Sequence, residues 1–187
     1  MNWKIYLKES LDIFQKLNSD EISSNISDSI DTISNSLESG NSLLVCGNGG
    51  SASDAMHITG ELVGRFLEER KGLKAICLSS NPSILTAWAN DYSYDSIFSR
   101  QVEAFGEKGG SIVCISTSGT SKNVVEAAKK AKEIGMNIVS FTGKSGGDLA
   151  DLSDHIVRIP SDSVPLIQQG HLVAYHFMCM GIEKNFT

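Results

Sequence analysis

This 187-residue chain has little of three things that would mark other classes of protein. It has no uninterrupted apolar stretch long enough to span a bilayer, so no membrane segment is expected. The opening Met1-Asn2-Trp3-Lys4-Ile5-Tyr6 has no apolar run bounded by a cleavage site, so a signal peptide is not expected either. It has no C-x-x-C pair: Cys46, Cys77, Cys114 and Cys179 stand far apart, which argues against a zinc or redox motif built on cysteine. Three of the four sit in apolar strand-like runs, where cysteine behaves as a small buried hydrophobe. Reduced core cysteines in a cytoplasmic protein are therefore expected. Positive charge is also short, with 16 Lys and Arg against 22 Asp and Glu, a net charge of −6. Such a surface repels nucleic-acid backbones and anionic lipid, so neither partner is expected. Any phosphate must be bound locally, by a built site.

What is present is ordinary globular composition, 41% hydrophobic and 20% charged, with no internal repeat and no flexible linker. A single domain over residues 1–187 is expected, with helices over 1–40 and an α/β core over 41–187. Trp3, Leu7, Leu11, Phe14 and Leu17 recur three or four apart and predict one apolar helical face. Ile22, Ile26, Ile30, Ile33 and Leu37 repeat the pattern, with Ser19 or Asp20 as a cap and Gly40 as a stop. Two such helices must pack on the rest of the chain, on another copy, or on both.

From residue 41 short apolar runs alternate with helical stretches. Strands are predicted at 43–46, 75–78, 112–115, 137–141 and 155–159, and a last helix from about Val164 to Glu183. Strands apolar on both faces, each followed by helix, predict a five-stranded parallel sheet in a three-layer sandwich. Ligands in that architecture sit beyond the carboxyl ends of the strands.

Two loops at such ends carry chemistry. Gly47-Asn48-Gly49-Gly50-Ser51-Ala52 satisfies the dinucleotide pattern G-x-G-x-x-G/A, but that reading needs a carboxylate after the second strand. Leu78-Ser79-Ser80-Asn81-Pro82 supplies none, which disfavours a nicotinamide cofactor. Ser116-Thr117-Ser118-Gly119-Thr120-Ser121 leads straight into a helix. One hydroxyl would suffice as a cap; five with a glycine predict an anion cradle of free amides and neutral donors. Gly143-Lys144-Ser145 resembles the end of a P-loop, but Ile138 stands where its first glycine belongs, and a plain surface turn is expected.

His57 and Glu61 lie four apart on the helix behind the glycine loop, hence on one face. The last helix carries Gln168, His171 and His176. Singly, each histidine reads as a packed or solvent-facing residue; together with Glu61 they read as a proton-transfer or metal site. Gln168 and His176 are about 12 Å apart along a helix, too far for one ion to meet both easily.

The ordered set Gly47-Asn48-Gly49-Gly50-Ser51, Asp54-Ala55-Met56-His57, Glu61-Leu62-Val63-Gly64-Arg65, Asn90-Asp91, Ser116-Thr117-Ser118-Gly119 and Ile167-Gln168 with His176 resembles the phosphoheptose isomerases. These are members of the sugar isomerase (SIS) domain superfamily, and the likeness covers nearly the whole chain. It implies a SIS, flavodoxin-like fold preceded by an N-terminal helical hairpin. It also implies conversion of sedoheptulose 7-phosphate to D-glycero-D-manno-heptose 7-phosphate for bacterial lipopolysaccharide or capsule. By position it implies phosphate contacts from Ser51, Ser116, Thr117, Ser118 and Ser121. The sugar would be lined by Asn48, Gly49, Gly50, Asn90, Asp91 and Gln168, with Glu61 also in contact. Glu61 and His176 would be the catalytic pair, and His57, Glu61, Gln168 and His176 the ligands of zinc, one ion per subunit. Family members are homotetramers with sites at subunit interfaces. Gln169 departs from the family's frequent glutamate and bears on substrate preference. The superfamily's non-catalytic binding proteins, one of them associated with a replication initiator, and isomerases of shorter sugar phosphates are the competing expectations. A retained Glu61 and His176 favour the enzyme.

Overall fold

The computed structural model describes residues 2–187. Its helices are α1 (Trp3–Leu17), α2 (Asp20–Glu38), α3 (Gly50–Val63), α4 (Pro82–Asp91), α5 (Ile97–Phe105), α6 (Lys122–Ile134) and α7 (Val164–Lys184). Its strands are β1 (Leu43–Gly47), β2 (Ala75–Cys77), β3 (Ser111–Ser116), β4 (Asn137–Thr142) and β5 (His155–Arg158). All pair in parallel, in the order β2-β1-β3-β4-β5.

Alternation along the strands divides the core in two. Leu43, Val45, Val113, Ile115, Val139, Phe141 and Val157 face α2, α3 and α7. Leu44, Cys46, Ile112, Cys114 and Ile138 face α5 and α6. Both faces are apolar because both are covered, the expected property of a parallel sheet. The result is the three-layer α/β sandwich. Cys46, Cys114 and Cys179 are buried and Cys77 is partly so, all with free thiols.

The two N-terminal helices differ in what they bury. In α2, Ser19 caps the start by accepting from the Ile22 amide, and Ile22, Ile30, Ile33 and Leu37 enter the core. Each such side chain, fully buried, contributes roughly 1.5–3 kcal/mol. At its end the Gly40 amide donates to Leu37 O and the Asn41 amide to Ser36 O, the paired bonds of a left-handed glycine stop (φ +84°). In α1 the stripe of Trp3, Leu7, Leu11 and Phe14 stays exposed, Trp3 by 69%, while Ile13 and Ser10 are buried instead. Of the predicted stripe only Leu17 packs against the core, with Tyr6 beside it.

The strand order reverses direction at β1. The chain leaves β1 for β2 on one side, then returns to β3 on the other, so a crevice opens between the carboxyl ends of β1 and β3. Gly47 lies opposite Ile115 in register, which sets the glycine loop beside the hydroxyl loop. No helix among the described residues is long and apolar enough to cross a membrane.

Candidate active site

The hydroxyl loop is tied back on itself. Ser116 Oγ lies 2.9 Å from Ser121 Oγ and 3.4 Å from Ser118 Oγ, and accepts from the Gly119 amide at 3.2 Å. Ser118 Oγ accepts from the Thr120 amide and hydroxyl at 3.2 and 3.0 Å. Ser121 is the first residue before α6, yet its hydroxyl makes no cap bond to the helix. Neither does α3 have a side-chain cap. Two helix amino ends beside the crevice thus keep amide donors and positive dipole ends for a ligand. Gly119 (φ +70°) is pressed against the Gly146-Gly147 backbone, where no Cβ fits, and its carbonyl accepts from the Leu149 amide.

Gly143 opens the turn that its sequence suggests, its carbonyl accepting from the Gly146 amide at 3.2 Å around Lys144 and Ser145, but the glycine itself is not on the surface. It is buried, its amide donates to Thr117 O at 2.9 Å, and a Cβ there would meet Thr117 O at 2.6 Å. Only Lys144 and Ser145 are exposed. The glycine therefore supports the hydroxyl loop from below, a role that a motif match cannot show.

Across the crevice, Asn48 and Asn123 exchange two amide hydrogen bonds, 2.8 and 2.9 Å, and the Tyr94 hydroxyl donates to Asn48 Oδ1 at 3.0 Å. Ser51 is buried in the first turn of α3. Gly50 faces the Gln168 amide so closely that a Cβ would collide with it. Asn90 donates to Asp91 at 2.9 Å, both exposed at the end of α4, whose neighbour turn Tyr94–Ser96 carries the tie to Asn48.

Farther along α3 the titratable groups gather. His57 Nε2 lies 3.0 Å from Glu61 Oε1, and its Nδ1 lies 2.9 Å from the Tyr175 hydroxyl. In the tautomer protonated at Nε2, His57 donates to the Glu61 carboxyl and accepts from Tyr175 at Nδ1. The Tyr175 hydroxyl also faces Asp54 Oδ1 at 3.4 Å. Burial and the nearby Asp54 push the phenol well above its ordinary range, so it remains a donor. Burial raises the Asp54 carboxyl as well, against the lowering effects of Tyr175 and His57. The His57 and His176 rings stand 4.9 Å apart, edge to face, and Phe66 covers His176 at 5.6 Å. Burial and the adjacent His57 lower the His176 pKa, favouring the neutral ring.

His171 does not join this group. It is fully buried, bonds Thr142 O through Nε2 at 3.1 Å, and burial lowers its pKa to about 4. It is a core histidine under β4, five positions before His176 and so on a different face of α7. Gln169 also points elsewhere, donating to the Tyr6 hydroxyl of α1 at 2.7 Å.

Two imidazoles and a carboxylate are a zinc-type donor set, and His176 Nε2 is a buried nitrogen with no hydrogen-bond partner. The chemistry of His57, Glu61 and His176 therefore suits a metal. Among the described residues no three His, Cys, Asp or Glu side chains are gathered round one point. Gln168, beside Gly50, lies at the other end of α3 from Glu61.

Residues 5–143 match the SIS domain family. The chain is 47% identical over 186 residues to a probable phosphoheptose isomerase of Thermoplasma acidophilum, covering all of both. It is 47% identical to the phosphoheptose isomerase of Helicobacter pylori, covering 97% of this chain and 90% of that one. The chain belongs to the phosphoheptose isomerase family. Solved structures of phosphoheptose isomerases from Neisseria gonorrhoeae and Francisella tularensis superpose with TM-scores of 0.91 and 0.93. They are 35% and 33% identical, and each comparison covers 97% of this chain and 96% of the other.

Behind the cluster stands a pair that sequence reasoning missed. Glu183 accepts from the Phe66, Leu67 and Glu68 amides at 2.8, 2.7 and 3.1 Å and pairs with Arg70 Nε at 3.3 Å. Arg70 in turn donates to Glu61 O and Leu62 O, at 2.8 and 2.9 Å, closing the carboxyl end of α3. Both are almost wholly buried, and a charged residue in an apolar helix pattern was the available signal.

Proposed function

We propose that this chain is an aldose–ketose isomerase that converts sedoheptulose 7-phosphate to D-glycero-D-manno-heptose 7-phosphate through an enediol. The observation that carries the reading is the pairing of a hydroxyl-and-amide cradle at the amino ends of α3 and α6 with a carboxylate–imidazole cluster on the last turns of α3 and on α7. The cradle, Ser51 with Ser116, Thr117, Ser118 and Ser121, binds phosphate by neutral donors, which suits a chain of net negative charge. Asn48, Gly49, Gly50, Asn90, Asp91 and Gln168 line the sugar.

Glu61 takes the proton from C1 of the open-chain ketose and returns it to C2. Between these steps C1 and C2 share the double bond of the enediol. His176, neutral by its burial, moves the hydroxyl proton from O1 to O2 and assists ring opening. His57, Glu61 and His176 would hold one zinc ion per subunit, with Gln168 as the outlying donor. A bound metal would supply polarisation of the substrate oxygens.

Assembly is the remaining part of the proposal. In a homotetramer with sites between subunits, a second copy would bring its own Glu61 toward the sugar held in the first copy's cradle. That arrangement would also bring Gln168 of one copy to the cluster of another. The exposed Trp3, Leu7 and Leu11 of α1 and Val173, Phe177 and Met180 of α7 offer the contact surface of a homotetramer. The four free thiols suit the cytoplasm, where a heptose phosphate would be made for lipopolysaccharide or capsule.

NMR of the purified protein with sedoheptulose 7-phosphate in heavy water, with and without zinc, tests the reading. An aldose heptose phosphate carrying deuterium at C2 is expected; no product under either condition would overturn it. Phe177→Glu should split the assembly and remove turnover together, as sedimentation and the same assay would show.

A further inference from the structure

Asn48 sits where the sugar end of the crevice begins, and its amide is almost fully used. Its Oδ1 accepts from Asn123 Nδ2 at 2.9 Å and from the Tyr94 hydroxyl at 3.0 Å. Its Nδ2 gives one hydrogen to Asn123 Oδ1 at 2.8 Å. An amide has two acceptor lone pairs and two donor hydrogens, so a single N–H is left. Asn123 is 2% exposed, set in the first turn of α6, and its placement follows from the packing of that helix under the cradle. Tyr94 comes from the turn after α4, so the same hydroxyl fastens the segment carrying Asp91 to the glycine loop.

We propose that Asn123 and Tyr94 are positioning residues that lock the Asn48 amide, leaving one N–H to meet an oxygen lone pair of the sugar. The proposal rests on the isomerase reading for its substrate and extends it to residues outside the cradle and the catalytic pair. A freely rotating asparagine would offer donor or acceptor to any hydroxyl. A locked one accepts only a sugar whose oxygen stands at one place and presents a lone pair. Discrimination at such a site arises because a mismatched sugar would cover the half-buried amide and leave it unpaired. Neither residue touches the phosphate loop hydroxyls by hydrogen bond, which separates their effect from that of the cradle.

The test is steady-state kinetics with sedoheptulose 7-phosphate, with inorganic phosphate as competitor, on Asn123→Ala and Tyr94→Phe. Asn123→Ala should lower kcat/KM about tenfold, mainly through KM, the size of one lost hydrogen bond. Tyr94→Phe, at an exposed residue that does not threaten folding, should lower it about threefold. Both should leave the inhibition constant of inorganic phosphate within about twofold of the parent. A parallel fall in phosphate affinity would mean a collapsed loop and would overturn the proposal, as would unchanged KM in both variants. In the 15N-labelled protein, one Asn48 side-chain hydrogen should be protected from exchange and the other should shift on adding the sugar phosphate. Two protected hydrogens in the free protein would overturn the donor assignment. Absence of turnover by the parent protein would strike the isomerase reading itself. Turnover by the parent with unmoved variants strikes only the positioning role.

Discussion

In the hydroxyl loop at the crevice, the chain builds its cradle from near neighbours. Ser116, Ser118, Gly119 and Ser121 bond one another within five residues. At the far end of α3, His57 meets Tyr175 across 118 positions of sequence, and Phe66 meets Glu183 across 117. The first is closed by its own backbone and works by fixed neutral donors. The second is held by a buried ion pair and works by groups that exchange protons. The difference shows how one helix can serve two chemistries: its amino end offers a dipole to an anion, and its last turns carry the side chains.

Replacing Glu61 should break the two ends apart most clearly. Glu61→Gln should lower kcat by about 10²–10⁴, the usual worth of a general base. Unfolding midpoint and inorganic phosphate binding should stay unchanged, and phosphate released by this change would mean the ends are not independent. Next is the support of the far end. In Glu183, burial would raise the carboxyl, but three amides and Arg70 hold its pKa below the ordinary value. Glu183→Ala leaves Arg70 buried and unpaired and should cost about 3–5 kcal/mol in urea unfolding.

The pH dependence comes from a group outside both ends. The folded pKa of His171 is about 4 against the ordinary 6.5, so the unfolded chain binds its proton first as pH falls. Its contribution is complete above pH 6.5 and is lost as pH drops through 4. That amounts to about 3 kcal/mol at 1.36 kcal/mol per pKa unit. Stability measured at pH 7 and pH 4.5 should differ in that direction, and His171→Asn should flatten that part of the profile. The smallest effect belongs to the cradle. Ser121→Ala removes one of several hydroxyls and should raise KM about threefold, with kcat nearly intact. A loss as large as that of Glu61→Gln would show that the cradle takes part in the chemistry.

Much of this site is legible in residue order. The hydroxyl run before α6 and the glycine loop before α3 are local, and local contacts leave local patterns. His57 and Glu61 share a face by spacing alone. His171 and His176 looked alike on the same helix, yet one is sealed under β4 and the other lies beside His57. Five positions turn a helix by well over one full revolution, and only the packing of α7 decides which face is core. The apolar stripe of α1 forms the expected helix yet stays mostly exposed in the single chain, because periodicity marks an apolar face without fixing what it packs on.

The sequence by itself determined the parallel sheet, the two loops at its carboxyl edge and the family, since each rests on short-range order or on identity along the chain. Only the tertiary structure decided that Gly143 lies under the cradle, that Asn123 and Tyr94 hold Asn48, and that Glu183 and Arg70 stand behind Glu61. These are pairings of polar groups distant in sequence. A buried hydrogen bond records where two chain segments meet, and that is set by the sum of packing over the whole core.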